Sequence, residues 1–317
     1  MPQGSYLGPL VFLVLINDLT AGCLLHKFMD DTTLTEIIPS GENSKMSAMV
    51  HDVVMWSVKN QMNINWGKTK EMLIGTNTTG SIDDILCKGN NTIERVNTFK
   101  LLGVHIDSNL KWASHVDSIC AKASSRLFFL KMLKRCSISI NDLLYFYTSA
   151  IRPILEYACP AWHTSLTKDQ SRQIEHIQKR ALRIIFNSNC IDYKNFCQVH
   201  HITPLTDRRY ELCKLFFNNM LQENSCLHYL LPPPRQDMCY KLRHIVKFEP
   251  PIAKSVRFCF IVYALNNYQS SMQFLCFCVL SFLWFLCSSV LCFVFYNVYL
   301  FNPVSQSLPY VNKLSLS

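Results

Sequence analysis

About thirty consecutive residues, 272–301, contain no charged side chain, and this run limits the folds open to the chain more than any other feature. A stretch so long and apolar must leave water, into lipid or into a protein interior. Three readings stay open. As a helix it spans a bilayer, with Lys254 and Arg257 on the cytoplasmic side. As a buried helix it is rather long and too uniformly apolar. Its Phe, Leu, Cys, Val and Tyr, whose codons are rich in thymine, also suit the translation of non-coding DNA. The third reading fits the residue types best, yet hydropathy acts whatever its origin, so a transmembrane span at 272–301 and membrane association through it are retained as expectations. A second apolar run, residues 6–16, precedes "LTAGC" in the manner of a lipoprotein cleavage site. No Lys or Arg comes before it, and Asn17-Asp18 ends it with polar groups, which speaks against a signal.

The 317 residues suffice for two ordinary domains. With 31 Lys and Arg against 22 Asp and Glu, the net charge of +9 suits a polyanionic partner or an anionic membrane surface. The 15 Cys are scattered without a C-x-x-C pair, which reads as reduced thiols of an intracellular protein. Cys190, Cys197, His200 and His201 come nearest to a ligand cluster but lack paired short spacings at both ends, so unlinked core and surface residues fit them better than zinc ligands.

Ser5 is placed to cap an apolar helix that runs to about Leu19. Two β-prone runs, 24–28 and 32–38, flank Met29-Asp30-Asp31 and predict a hairpin. Met46, Met49, Val50, Val53 and Trp56 recur at helical spacing over about 44–62. A turn at Trp66-Gly67 leads to a strand at 71–75, and 99–107 reads as one further strand. Beyond it the pattern is helical, over 113–133, 141–157, 168–186 and 207–222, with Pro153 limiting or kinking the second. "LPPPR" at 231–235 is a stiff linker. The expected class is α+β.

Adjacent carboxylates on a strand point to opposite faces, so Asp30 and Asp31 converge only where the backbone turns. Such a pair resists joint ionisation unless a cation compensates it, and hard oxygen ligands suit Mg²⁺ or Mn²⁺. A plain polar turn is the alternative. The basic groups Lys131, Lys134 and Arg135, then Lys179, Arg180 and Arg183, then Arg208 and Arg209, recur on successive helices. They read either as solvated faces or as nucleic-acid contacts.

"PQGSYLGPLVFLVLINDL", "FMDDTTL", "INWGKTKEMLIG" and "FKLLGVHIDSNLKWASHV" occur in this order, followed by "IRPILEYACPAWHTSLTKDQSRQIEHIQKRALRIIF". Together, over about residues 1–220, they resemble reverse transcriptases of non-LTR retrotransposons, in particular jockey-like elements. The resemblance implies that Asp30 and Asp31 match the family's paired aspartates, which bind the metal ions of nucleotidyl transfer, with Asp30 the principal ligand. It implies that Pro2, Gln3, Gly4 and Ser5 match the loop facing nucleotide and template. Lys68 matches a lysine near the triphosphate, although a surface lysine is an equal alternative. The strand at 100–104 would lie near the primer end, with a helical thumb beyond it. RNA template, DNA primer and deoxynucleotide triphosphates are the implied partners.

The implied organisation is a truncated polymerase palm over 1–78, the end of the palm and a thumb-like region over 79–140, a helical extension over 141–230, a linker over 231–257 and an apolar tail over 258–317 with a hydrophobic helix. The family carries a further catalytic aspartate upstream of the Pro-Gln-Gly loop, where this chain opens. The expectations are therefore an element remnant or a fragment, an incomplete metal site and no polymerase activity for the chain alone. The family implies a nuclear or cytoplasmic location. A non-catalytic nucleic-acid-binding remnant and a single-span membrane protein remain as alternatives.

Overall fold

The computed structural model describes residues 7–39, 42–74, 92–187 and 193–231, and the backbone of 289–300. The chain divides into two units, Met1–Asn97 with Leu286–Ser317, and Thr98–Phe285. In the first, α1 (Leu7–Ile16), β1 (Leu24–Phe28) and β2 (Asp31–Pro39) precede α2 (Met46–Lys59), β3 (Met62–Ile64), β4 (Lys70–Ile74) and β5 (Glu94–Arg95). Helix α2 buries Met46, Val50 and Val53, the spacing of one helical face, and these pack in one core with Leu34 and Ile38 of β2. Its start is held by Glu36, whose carboxylate accepts hydrogen bonds from Ser44 Oγ and the Lys45 N–H, both at 2.7 Å. A negative group there satisfies orphan donors and complements the positive end of the helix dipole. Lys27 does the converse for α1, donating from Nζ to the carbonyls of Ile16 at 2.7 Å and Asn17 at 3.1 Å.

The second unit opens with β6 (Thr98–Leu101) and β7 (Val104–Asp107). Residues 99–107 are thus a tight antiparallel hairpin and not the single strand expected from the sequence. Both turn residues are left-handed, Leu102 at φ +45° and Gly103 at φ +90°, as a two-residue hairpin turn requires. Leu-Gly is a weak form of that signal, which is why the turn was not legible. Tyr157 covers it, donating from its hydroxyl to the Leu102 carbonyl at 2.8 Å; a Cβ on Gly103 would meet the Tyr157 ring at 3.2 Å.

Among the described residues this unit continues with helices α3 (Ala113–Arg135), α4 (Ile140–Phe146), α5 (Arg152–Glu156), α6 (Cys159–Trp162), α7 (Lys168–Phe186), α8 (Tyr193–Val199) and α9 (Leu205–Met220). Between α4 and α5 the backbone widens into a π-helical turn, Tyr147–Ile151, two residues before Pro153. Proline lacks the N–H and crowds the carbonyl four residues back, so the regular ladder cannot pass through it. Helix α7 begins with a reciprocal Thr167–Gln170 capping box and ends at left-handed Asn187. It buries Ile174, Ile177, Gln178, Ala181, Leu182 and Ile185. Helix α3 lies along it: Gln173 Nε2 donates to Asp117 Oδ1 at 3.0 Å, and Lys134 Nζ donates to the Ile185 carbonyl at 2.8 Å. Trp162, Tyr147 and Arg209 are among the largest fully buried side chains of the described residues.

The chain re-enters the first unit as β8 (Ser289–Leu300). This strand pairs antiparallel with both β2 and β4, giving the order β1-β2-β8-β4-β5, and it also pairs with β3. Residues 289–300 are therefore strand, correcting the hydrophobic helix expected over 272–301; the remainder of that range lies outside the described residues. Length and hydropathy alone favoured a helix. Yet "SVLCFVFYNVYL" is rich in β-branched and aromatic residues, and the facing edges of β2 and β4 offer backbone partners. Among the described residues no helix is long and apolar enough to cross a membrane.

Candidate active site

The β1–β2 hairpin pairs Phe28 with Asp31, so its turn is the two-residue Met29-Asp30. Met29 stands at φ +53°, a conformation that costs a non-glycine residue on the order of 1 kcal/mol. The strain keeps the loop short enough to place Asp30 in the turn and Asp31 on the first rung, both half-buried. Asp31 is held above the ordinary carboxylate range, first by burial, then by repulsion from Asp30, with Lys68 pulling the other way. The structure thus brings Asp30, Asp31 and Lys68 into one electrostatic neighbourhood, although Lys68 is 37 positions along the chain from Asp31.

Lys68 is set by the turn after β3. Its N–H is hydrogen-bonded to both the carbonyl and Oδ1 of Asn65, at 3.1 Å each, and buried Thr69 donates from Oγ1 to the same carbonyl at 2.9 Å. Asn65 is therefore a positioning residue that motif reading passed over; an Asn just before Trp-Gly is the side-chain turn signal that could have found it. On the other side of β2, the rung of Asp31 is shared with Asn297 of β8. Among the described residues no group of three or more His, Cys, Asp or Glu is placed to hold a metal ion. Pro2, Gln3, Gly4 and Ser5, including the expected Ser5 cap, lie outside the described residues.

Because a raised carboxylate proton affinity means that ionisation opposes folding, Asp30→Asn is expected to lower the Asp31 titration and to stabilise the first unit at neutral pH. Lys68→Met is expected to raise that titration further. Carboxyl-carbon NMR across pH 2–8 reads both; an Asp31 midpoint unmoved by Lys68→Met would remove the lysine from the site.

In the second unit, Lys131 and Arg135 are exposed on α3, whereas Lys134 caps α7. On α7, Lys179 lies over the Tyr193 ring at 4.6 Å, Arg180 is half-buried and Arg183 is exposed. The third basic pair does not form a contact surface. Arg208 forks onto Glu156 at 2.5 and 3.1 Å, and Arg209 is fully buried, donating from Nε to His163 Nδ1 at 3.2 Å. Cys197 is buried and the His200 ring packs, tilted, against those of Phe186 and Phe196, with ring centroids at 4.2 and 4.4 Å; Cys190 lies outside the described residues.

Over 200 residues the chain is 22% identical to a probable RNA-directed DNA polymerase from transposon X-element of Drosophila melanogaster, covering 58% of this chain and 21% of that protein. It resembles a reverse transcriptase. The chain spans about a fifth of the length of this curated relative. No family model matches, and no solved structure matches.

Proposed function

We propose that this chain is a portion of an RNA-directed DNA polymerase of a jockey-like non-LTR retrotransposon, and that alone it does not extend a primer. The observation that carries the reading is the tight hairpin that presents Asp30 and Asp31 together with Lys68 in their field. Its support is the 22% identity to the X-element polymerase. Two adjacent carboxylates, one of them unsettled by the other, suit a hard divalent cation, and Asp30 and Asp31 would hold Mg²⁺ or Mn²⁺. When bound, such an ion neutralises charge on the triphosphate and the departing pyrophosphate. Within the chain, Asp30 and Asp31 supply the anionic oxygens, the strained Met29 turn fixes their spacing, and Lys68 supplies a positive charge toward the phosphates.

On this reading the site is incomplete, with Asp30 and Asp31 as the two acids assigned to the ion. Primer extension on an RNA template, with Mg²⁺ or Mn²⁺ and all four deoxynucleotides, is expected to give no template-dependent product. Synthesis that is abolished by Asp30→Ala would overturn the inactivity while upholding the ancestry.

Binding without catalysis is a second reading, favoured by exposed Lys131, Arg135 and Arg183 on the helical unit. It expects RNA affinity that falls with salt and weakens when these residues are replaced by Ala. Each phosphate contact removed should flatten the log–log salt slope by about 0.7–0.9.

A further inference from the structure

Helix α3 carries two apolar surfaces, and among the described residues only one of them is covered by the fold. Val116, Ile119, Cys120, Ala123, Leu127 and Leu130 form the inward stripe and are buried. Phe128, Phe129 and Met132 point away from it and are 61%, 54% and 42% exposed. The two phenyl rings meet edge to face, with centroids 5.8 Å apart. On the helical wheel this ridge runs between Lys122 and Arg126 on one side and Lys131 and Arg135 on the other, all four exposed. From Ser118 to the end of the helix there is no acidic residue.

We propose that this ridge is a binding site for single-stranded nucleic acid, in which unpaired bases stack on Phe128 and Phe129 while the flanking cations take the phosphates. The proposal rests on the nucleic-acid reading above and goes beyond it by naming the strand state and the groups that contact bases. Exposing two Phe rings to water is unfavourable unless an occupant covers them. Cations on both flanks and no acid between them select a polyanion over an acidic-rimmed or neutral protein surface. A polyanion with flat apolar faces is an unpaired strand; in a duplex the base faces are hidden in the stack. From Lys122 to Arg135 the helix rises about 20 Å, room for on the order of four nucleotides. A lipid surface is disfavoured because three side chains between four charges give too narrow an apolar band to insert, the wider stripe of α3 being consumed by the core.

The test is fluorescence anisotropy of the full chain with a labelled 12-nucleotide oligouridylate and with a blunt RNA duplex, at several salt concentrations. The double variant Phe128→Ala/Phe129→Ala, at exposed positions, should keep the wild-type circular dichroism. It is expected to lose about 10- to 100-fold in affinity for the single strand, with an unchanged salt slope and less than a twofold change on the duplex. Phe128→Tyr/Phe129→Tyr should retain wild-type affinity. Lys131→Ala/Arg135→Ala should instead flatten the single-strand salt slope by about 1.4. Single-strand affinity within twofold of wild type in the double Ala variant overturns the site, and so does an equal loss on the duplex. If phosphatidylserine vesicles bind the wild type and not that variant while oligouridylate affinity is unmoved, the ridge belongs to a lipid surface and the proposal fails. Absence of all RNA binding by the wild-type chain removes the underlying nucleic-acid reading as well, which distinguishes the two failures.

Discussion

Lowering the pH from 7 to about 4 is expected to unfold the helical unit, and two histidines, His115 fully buried and His163 half-buried, are the cause. His115 is fully buried; its Nδ1 accepts the His105 N–H at 3.3 Å, and its ring lies 5.1 Å from that of Trp162. Burial, followed by the charges of His105 and Lys122, pushes its pKa down to about 4. His163 accepts from the buried Arg209 guanidinium at Nδ1, and burial with that positive neighbour takes it down to about 3. Both rings must be neutral at Nδ1 to accept these bonds. Above pH 6.5 both states of the chain hold the rings neutral, so the full stability is present. Below it the unfolded chain takes up protons that the folded unit refuses, and stability falls by about 1.4 kcal/mol per pH unit for each ring. By pH 4 the loss is about 3 kcal/mol from each, comparable together with the net stability of a typical domain. Helical circular dichroism against pH, with urea midpoints at each pH, reads this directly. His163→Gln keeps an acceptor for Arg209 without a titration, and should roughly halve the decline between pH 6.5 and 4. A decline of unchanged steepness would assign acid sensitivity to other groups.

Trp162→Ala is expected to cost about 4 kcal/mol, the range for deleting a buried aromatic side chain. Trp162 is fully enclosed, donates from Nε1 to the Tyr157 carbonyl at 3.0 Å, and carries the Arg209 guanidinium 5.9 Å from its ring centroid. Truncation opens a cavity, removes a hydrogen bond and strips a buried cation of its aromatic cover. Arg209 already has one buried nitrogen, Nη1, without a hydrogen-bond partner, so it has little to fall back on. Trp162→Phe keeps most of the volume and a ring face, and should cost well under half as much. Urea titrations followed by circular dichroism at 222 nm test both. A loss below 2 kcal/mol for the Ala variant would mean that the core collapses onto the site.

Local chemistry determined much of this protein from the sequence alone. Helix α7 occupies 168–186 as expected, because its capping box, apolar stripe and αL end residue are all contiguous signals. The hairpin at Asp30-Asp31 formed where two β-prone runs bracket a short polar turn, and Pro153 interrupted its helix for a reason carried within one residue. Spacing and residue type carry such information over a few turns of chain. Tertiary structure decided the rest. Arg209 looked like a surface cation beside Arg208, yet α9 turns it into the interior against Trp162 and His163. Lys68 reached the field of Asp31 through a turn that Asn65 holds. Residues 289–300 became strand because β2 and β4 leave a gap between them, and open backbone groups in a sheet exert a demand that no property of the tail reveals. Burial, long-range charge and strand pairing join residues distant along the chain, and a one-dimensional pattern holds no record of which distant groups will meet.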